Sequence, residues 1–329
     1  MISATPESKS GSNSITPSLA SQLVNGILAI KPLANLAKHQ ARSMMIKRAE
    51  TIGVYWRQQV QELRARQGKT EFADSWEQEL ADLQSPNLVY PDYYLTSFHA
   101  YEQGNLSWEA AMEVEVAAYA VHARIWPDAG AQGDAMLRQS FHTLVQQQLA
   151  SPPQTILDLG CSVGMSTFAL QSLYPQAQIT GVDLSPYFLA VAQYQARRRA
   201  AAHQQPDGPA ITWVHAAAEA TGLPDGSFDL VSAHLLFHEL PQAAALAILR
   251  EARRLLRPGG HLAIMDMNPD SEVYAKMPPY ILTLLKSTEP YLDQYFALDL
   301  EQAVLEASFA QPTVVCNSPR HRTVIAQAV

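Results

Sequence analysis

Two aspartates at the ends of apolar runs are the residues of this chain best placed to do chemistry. Asp158 follows Ile156-Leu157 and opens Asp158-Leu159-Gly160-Cys161-Ser162-Val163-Gly164-Met165-Ser166. Asp183 closes Ile179-Thr180-Gly181-Val182, roughly twenty residues beyond the glycines, where a ribose-binding carboxylate belongs. A carboxylate has two oxygens and can accept both ribose hydroxyls. Glycines ahead of a helix free the turn from Cβ clashes and let a ligand lie against amides that the helix start leaves unpaired. Strand, glycine turn, helix and second strand together describe a nucleoside-binding βαβ unit. The turn is not the G-x-G-x-x-G of dinucleotide proteins, because Ser162 interrupts it and an acid precedes the first glycine. That tilts the reading away from NAD.

Further markers stand in order along the chain. Ala217-Ala218-Glu219 precedes Leu223-Pro224 and Asp225-Gly226-Ser227-Phe228-Asp229, and Phe228 to Ala233 reads as a strand followed by the loop His234 to Pro241. A helix is expected over 241–256, apolar at helical spacing through Leu246, Ile248, Leu249, Ala252 and Leu255. Leu256-Arg257-Pro258-Gly259-Gly260 reads as a helix stop and turn before a strand ending at Asp266. Thr313 to Cys316 and Thr323 to Ala326 read as a closing antiparallel hairpin.

With these motifs, Gln154 to Val329 resembles the class I S-adenosylmethionine-dependent methyltransferases, in the small-molecule group that includes quinone methyltransferases. The resemblance implies an α/β fold: a Rossmann-like seven-stranded, mostly parallel sheet with an antiparallel C-terminal hairpin, here behind an N-terminal helical segment. It implies S-adenosyl-L-methionine as cofactor, held by Asp158, Gly160, Cys161, Ser162, Gly164, Asp183, Leu184, Ala218, Glu219 and His234. Ser162 departs from the family's glycine, and Ala217 stands where the family keeps an acid for the adenine amino group. Glu219 or a main-chain carbonyl would have to take that contact.

Residues 21–150 are mostly helical in pattern, with helical runs at 107–124 and 131–149. Ahead of those runs, Tyr90 to Tyr101 is the densest aromatic patch and reads as a lid, from which Tyr94, His99 and Tyr101 are expected to reach a pocket. The bland reading of the same rings is an anchor between helices and sheet. Tyr280 lies in a second variable stretch, Tyr274 to Phe296, that suits either a pocket wall or a helix laid on the sheet. A methyl sulfonium is already activated, so a base is needed only if the acceptor must lose a proton. His238 and His99 are the expected bases, with Glu239 and Tyr101 behind them, against the reading of a merely structural histidine.

Composition sets bounds. At 329 residues with 47% apolar side chains, the chain exceeds one typical domain and can fill a sizeable core. The division expected is a disordered tail at 1–20, a helical region with aromatic lid at 21–150, and a cofactor-binding domain at 151–329. A net charge of -8 argues against general nucleic-acid binding. Two cysteines, Cys161 and Cys316, fit a reducing cytosol and make neither a disulfide framework nor a metal cluster. Residues 28–66 form a basic stretch in an acidic protein, so peripheral contact with an anionic membrane is weighed against packing on the catalytic domain. The expected function is methyl transfer to a small-molecule or lipid-like acceptor in the cytoplasm. The alternatives are a cofactor-binding scaffold without catalysis and a nicotinamide-dependent oxidoreductase.

Overall fold

The structure, a computed structural model, describes residues 31–66, 68, 72–99, 101–202 and 208–329, with side chains in the first helix described at Gln40 and from Arg42 onward. The tail expected at 1–20, and the start of the basic stretch at 28–30, lie outside the described residues. Among the described residues five α-helices come first: α1 (Lys31–Thr51), α2 (Trp56–Ala65), α3 (Ser75–Leu83), α4 (Trp108–His122) and α5 (Gly133–Gln148). Then follow β1 (Thr155–Leu159), α6 (Met165–Leu173), β2 (Gln178–Asp183), α7 (Pro186–Ala201), β3 (Thr212–His215), β4 (Phe228–His234), α8 (Gln242–Leu255) and β5 (Leu256–Met267). The chain ends with α9 (Glu272–Ala275), α10 (Pro279–Thr288), α11 (Leu292–Phe296), α12 (Leu300–Glu306), β6 (Thr313–Ser318) and β7 (His321–Gln327).

The seven strands form one sheet in the order β3-β2-β1-β4-β5-β7-β6. Pairing is parallel through β5, and β7 runs antiparallel to both β5 and β6. Ile156, Leu157 and Leu159 of β1 are fully buried, as expected of a parallel strand covered by helices on both faces. Strand order reverses between β1 and β4, so the crevice beyond their carboxyl ends is where an open α/β sheet receives a ligand.

One turn expected from the sequence is absorbed into a strand. While β4 advances from Phe228 to Leu230, β5 advances from Leu256 to His261, so Pro258-Gly259-Gly260 is a bulge within β5. Gly259 takes φ +80° there, and its N–H donates to the Ala328 carbonyl across the sheet, which keeps the excursion paired. The hairpin strands also run further toward their turn than expected, because Ser318 Oγ accepts the N–H groups of Arg320 and His321 and closes it.

The helical layer docks on α7 through Trp76, which is fully buried against Trp108 and Tyr194 at ring separations of 5.4 and 5.1 Å. Its indole N–H donates to the Arg64 carbonyl at 3.0 Å. Several cations of the basic stretch are spent inside this layer. Arg66 lies 3.7 Å over the Trp76 ring and 3.4 Å from Glu79, and Arg42 is paired with the buried Glu113. Ile46 and Ala49 of α1 are buried in a cluster with Val116 and Ala120 of α4. No helix among the described residues is long and apolar enough to cross a membrane.

Candidate active site

Both sequence-predicted acids meet at the glycine turn. Asp158, wholly buried, accepts the hydroxyls of Ser166 and Thr167 at 2.7 Å each, so it holds the first turn of α6 through one oxygen. Its other oxygen, Oδ1, is buried with no partner. Asp183 accepts the Ser162 N–H through Oδ2 and the Ser185 N–H through Oδ1, both at 2.8 Å. Burial pushes each carboxyl up to about 6, for Asp158 against the Ser166 and Thr167 hydroxyls and for Asp183 against its main-chain donors.

The turn takes left-handed backbone at Gly160, Ser162 and Gly164, with φ of +65°, +50° and +88°. Ser162 therefore occupies a glycine-like conformation, and its hydroxyl is buried without a partner. At Gly160 a Cβ would come within 2.7 Å of the Leu236 side chain, so the turn lies directly against the loop after β4. Cys161 is buried, its N–H bonded to the Val182 carbonyl at 3.0 Å, and burial holds its thiol well above the ordinary range.

The lid segment crosses this crevice. Ser185 caps α7 and also donates its hydroxyl to the Asn105 carbonyl at 2.7 Å, which ties the lid segment to the end of β2. Tyr93, Tyr94, Phe98, Asn105, Leu236 and Glu239 line a cleft of about 350 Å3, counting its part open to solvent. The Tyr94 hydroxyl is held well above its ordinary range by burial and then by the carboxylates of Asp183 and Glu239. Tyr93 donates to Glu219 Oε1 at 2.6 Å, while Glu219 Oε2 is buried and unpartnered. Ala218 packs on the core beside them, and Leu184 is buried with its carbonyl 3.1 Å from His215 Nε2.

At the far side of the cleft, His238 Nδ1 lies 2.7 Å from Asp266 Oδ1. Burial disfavours charge on this ring, but the Asp266 carboxylate overrides it and holds the imidazole up to about 10, so His238 is an imidazolium at neutral pH. His99, in left-handed backbone at φ +49°, places Nε2 3.0 Å from Glu289 Oε1 and 3.5 Å from Glu239 Oε1. Burial pushes the Glu239 carboxyl above its ordinary range.

Three other residues expected at the site are not in the lining of the cleft. Tyr101 is turned into the helical layer, where its hydroxyl donates to Glu113 at 3.0 Å. Tyr280 is on α10 and is 48% exposed. His234 ends β4 but faces Phe141 of α5 at 5.7 Å, and burial keeps its ring neutral with Nε2 unpartnered. Sequence reasoning missed Asp266 and Glu289 as site residues. Asp266 carried a usable signal, since it is a third acid at the end of a parallel strand. Glu289 follows α10, in a segment without a recognisable motif.

This sheet order, with acids near the ends of β1 and β2 around a glycine turn, is the arrangement implied by the resemblance to class I S-adenosylmethionine-dependent methyltransferases. Residues 157–264 match the family described as Methyltransferase domain. Over 134 residues it is 33% identical to an uncharacterised methyltransferase of Synechocystis sp., covering 40% of this chain and 57% of that protein. Over 125 residues it is 34% identical to the demethylmenaquinone methyltransferase of Thermus thermophilus, covering 38% and 52%. Over 124 residues it is 38% identical to the trans-aconitate 2-methyltransferase of Azoarcus sp., covering 37% and 43%. The chain thus spans about half the length of the curated relatives it matches.

Proposed function

We propose that the protein transfers the methyl group of S-adenosylmethionine to a small-molecule or lipid-like acceptor. The observation that carries this reading is the pair Asp158 and Asp183, both buried at one glycine turn and joined to it by the Ser162 amide and the Ser166 and Thr167 hydroxyls. The donor supplies an activated methyl on a sulfonium, so the protein's task is positioning and exclusion of water, an effect of about 7 to 11 kcal/mol in favourable cases. Three buried polar atoms, Asp158 Oδ1, Ser162 Oγ and Glu219 Oε2, have no partner in the protein, which suits a cationic, hydrogen-bonding ligand. Asp183 would take the ribose, and the Gly160 to Gly164 turn the aminoacyl part. Glu219, two residues beyond Ala217 and with Oε2 unpartnered, would take the adenine amino group.

A diphosphate fits the same turn poorly. The Ser162 amide that a phosphate would need is already given to Asp183, and two buried carboxylates would repel it. Calorimetry with S-adenosylmethionine, S-adenosylhomocysteine and NAD separates these readings. Both sulfur nucleosides should bind and NAD should not, and Asp183→Ala should weaken binding by about tenfold or more, as for a lost charged hydrogen bond. Tight NAD binding, or equal affinity in the variant, refutes the site. Transfer of labelled methyl into a cell extract separates an enzyme from an inert scaffold.

A further inference from the structure

The cleft beside the cofactor turn has an acidic, aromatic end. Tyr93, Tyr94 and Phe98 supply ring faces, Glu239 supplies a carboxylate in the lining itself, and no lining residue is Lys or Arg. Behind Glu239 stand His99, bridging it to Glu289, and the His238–Asp266 pair. Glu289 is 7% exposed, and its Oε2 is buried without a partner in this same cluster. Three carboxylates, Glu239, Glu289 and Asp266, therefore face two imidazoles, and Asp183 and the Tyr94 hydroxyl flank Glu239 from β2 and the lid. With both rings charged, these carboxylates outnumber the imidazoles and the cluster stays net negative.

An anionic acceptor would enter against that charge, with both imidazolium rings already engaged by Glu289, Glu239 and Asp266, whereas a cation meets both carboxylate and ring faces. Resting on the methyltransferase reading above, we infer that the acceptor end of the cleft takes a protonated amine and that Glu239 receives its proton. The N–H bond breaks and an O–H bond forms on the Glu239 carboxylate, leaving the nitrogen lone pair free to take the methyl group. The methylated ammonium keeps the acceptor's positive charge, the donor leaves as the neutral thioether, and Glu239 returns its proton to solvent. Burial, which raises the Glu239 carboxyl toward neutrality, suits a group that must take and release a proton there.

The test uses the full chain saturated with S-adenosylhomocysteine, which fills the cofactor site, and measures binding of benzylamine and benzoate by calorimetry near neutral pH. Benzylammonium should bind at least about tenfold more tightly than benzoate, and Glu239→Gln should remove most of that preference. Benzoate binding as well as or better than benzylammonium, absence of any benzylammonium binding, or an unchanged preference in Glu239→Gln overturns the inference. The comparison within the wild-type protein needs no variant, so a misfolded Glu239→Gln leaves it decisive. Failure of S-adenosylhomocysteine itself to bind removes the methyltransferase reading. Its binding without discrimination between amine and carboxylate removes only the acceptor assignment.

Discussion

His238, in the loop after β4, and Asp266, on β5, are locked together: the His238 ring meets Asp266 Oδ1 at 2.7 Å, while Asp266 Oδ2 takes the N–H groups of Phe237 and His238 at 2.7 and 3.2 Å. The Met267 N–H adds a further bond to Oδ1 at 2.7 Å. One buried carboxylate thus sets the loop after β4 and the charge of its histidine.

Asp266→Asn should therefore lower the His238 ionisation and destabilise the fold. The imidazole is raised above its ordinary 6.5, so its stabilising contribution is full below that value and is lost as pH rises through about 10. NMR titration of His238 should show an imidazolium at pH 7.5 in the wild type and a neutral ring in the variant. Breaking a buried pair should cost about 3–5 kcal/mol in chemical denaturation.

The two acids of the cofactor turn predict opposite pH trends for stability and binding. Asp158 is raised from 3.8 to about 6, so the folded state holds this proton more tightly than the unfolded chain. That stability is present below about 4 and is lost as pH rises through about 6. Asp158→Asn should gain on the ligand-free wild type between pH 4.5 and 7.5, by up to about 3 kcal/mol from a shift of roughly two units. Affinity for the cationic donor should instead fall as pH drops below about 6, since protonating Asp158 and Asp183 removes the charges that receive it.

Ser162 holds φ +50° where glycine rests without cost. Ser162→Gly should raise the melting temperature, by about 0.5–1 kcal/mol of stability, and lower donor affinity by no more than one lost hydroxyl hydrogen bond, about 0.5–1.5 kcal/mol, because the amide to Asp183 is kept. Ser162→Val, β-branched in the same conformation, should lower both. Calorimetric melting together with titration checks the pair.

Trp76 is the bolt of the helical layer, fully buried against α4 and α7. Trp76→Ala should cost about 3–5 kcal/mol and loosen the layer before the sheet. Hydrogen exchange should rise over α2, α3 and the lid while β1, β4 and β5 stay protected. Uniform exchange across both regions would show that the layer is not a separate cooperative unit.

The basic stretch should not anchor the protein on lipid. Arg42 and Arg66 are engaged by Glu113 and Glu79, and Ile46, Ala49 and Trp56 are buried in the layer. The protein should stay at the bottom of a flotation gradient with anionic vesicles at low salt, and flotation there would restore the membrane reading.

Much of the fold was legible because its signals are local. An apolar run ending in an acid, a glycine turn and a helix start lie within a dozen residues around Asp158, and the same grammar repeats at Asp183. The Pro258-Gly259-Gly260 bulge was less legible, because a glycine pair reads as a turn until a partner strand supplies the hydrogen bonds that keep it in the sheet. Tyr101 and Tyr94 show the limit more sharply. They lie in one aromatic patch, yet Tyr94 lines the cleft and Tyr101 serves Glu113, a difference set by the Phe98–Tyr101 bridge that folds the segment back on itself.

By itself, the sequence determined the proposed cofactor half of this protein: the two strand-ending acids and the flexible bend between them. Those features depend on backbone conformation and on contacts within one βαβ unit, and residue type and spacing encode both. Only the tertiary structure decided the acceptor half, where His99 comes from the lid, His238 and Glu239 from the loop after β4, Asp266 from β5 and Glu289 from the end of α10. Whether these five carry charge, and of which sign, depends on burial and on neighbours far away in sequence, and electrostatic energy between such groups has no counterpart in their spacing along the chain.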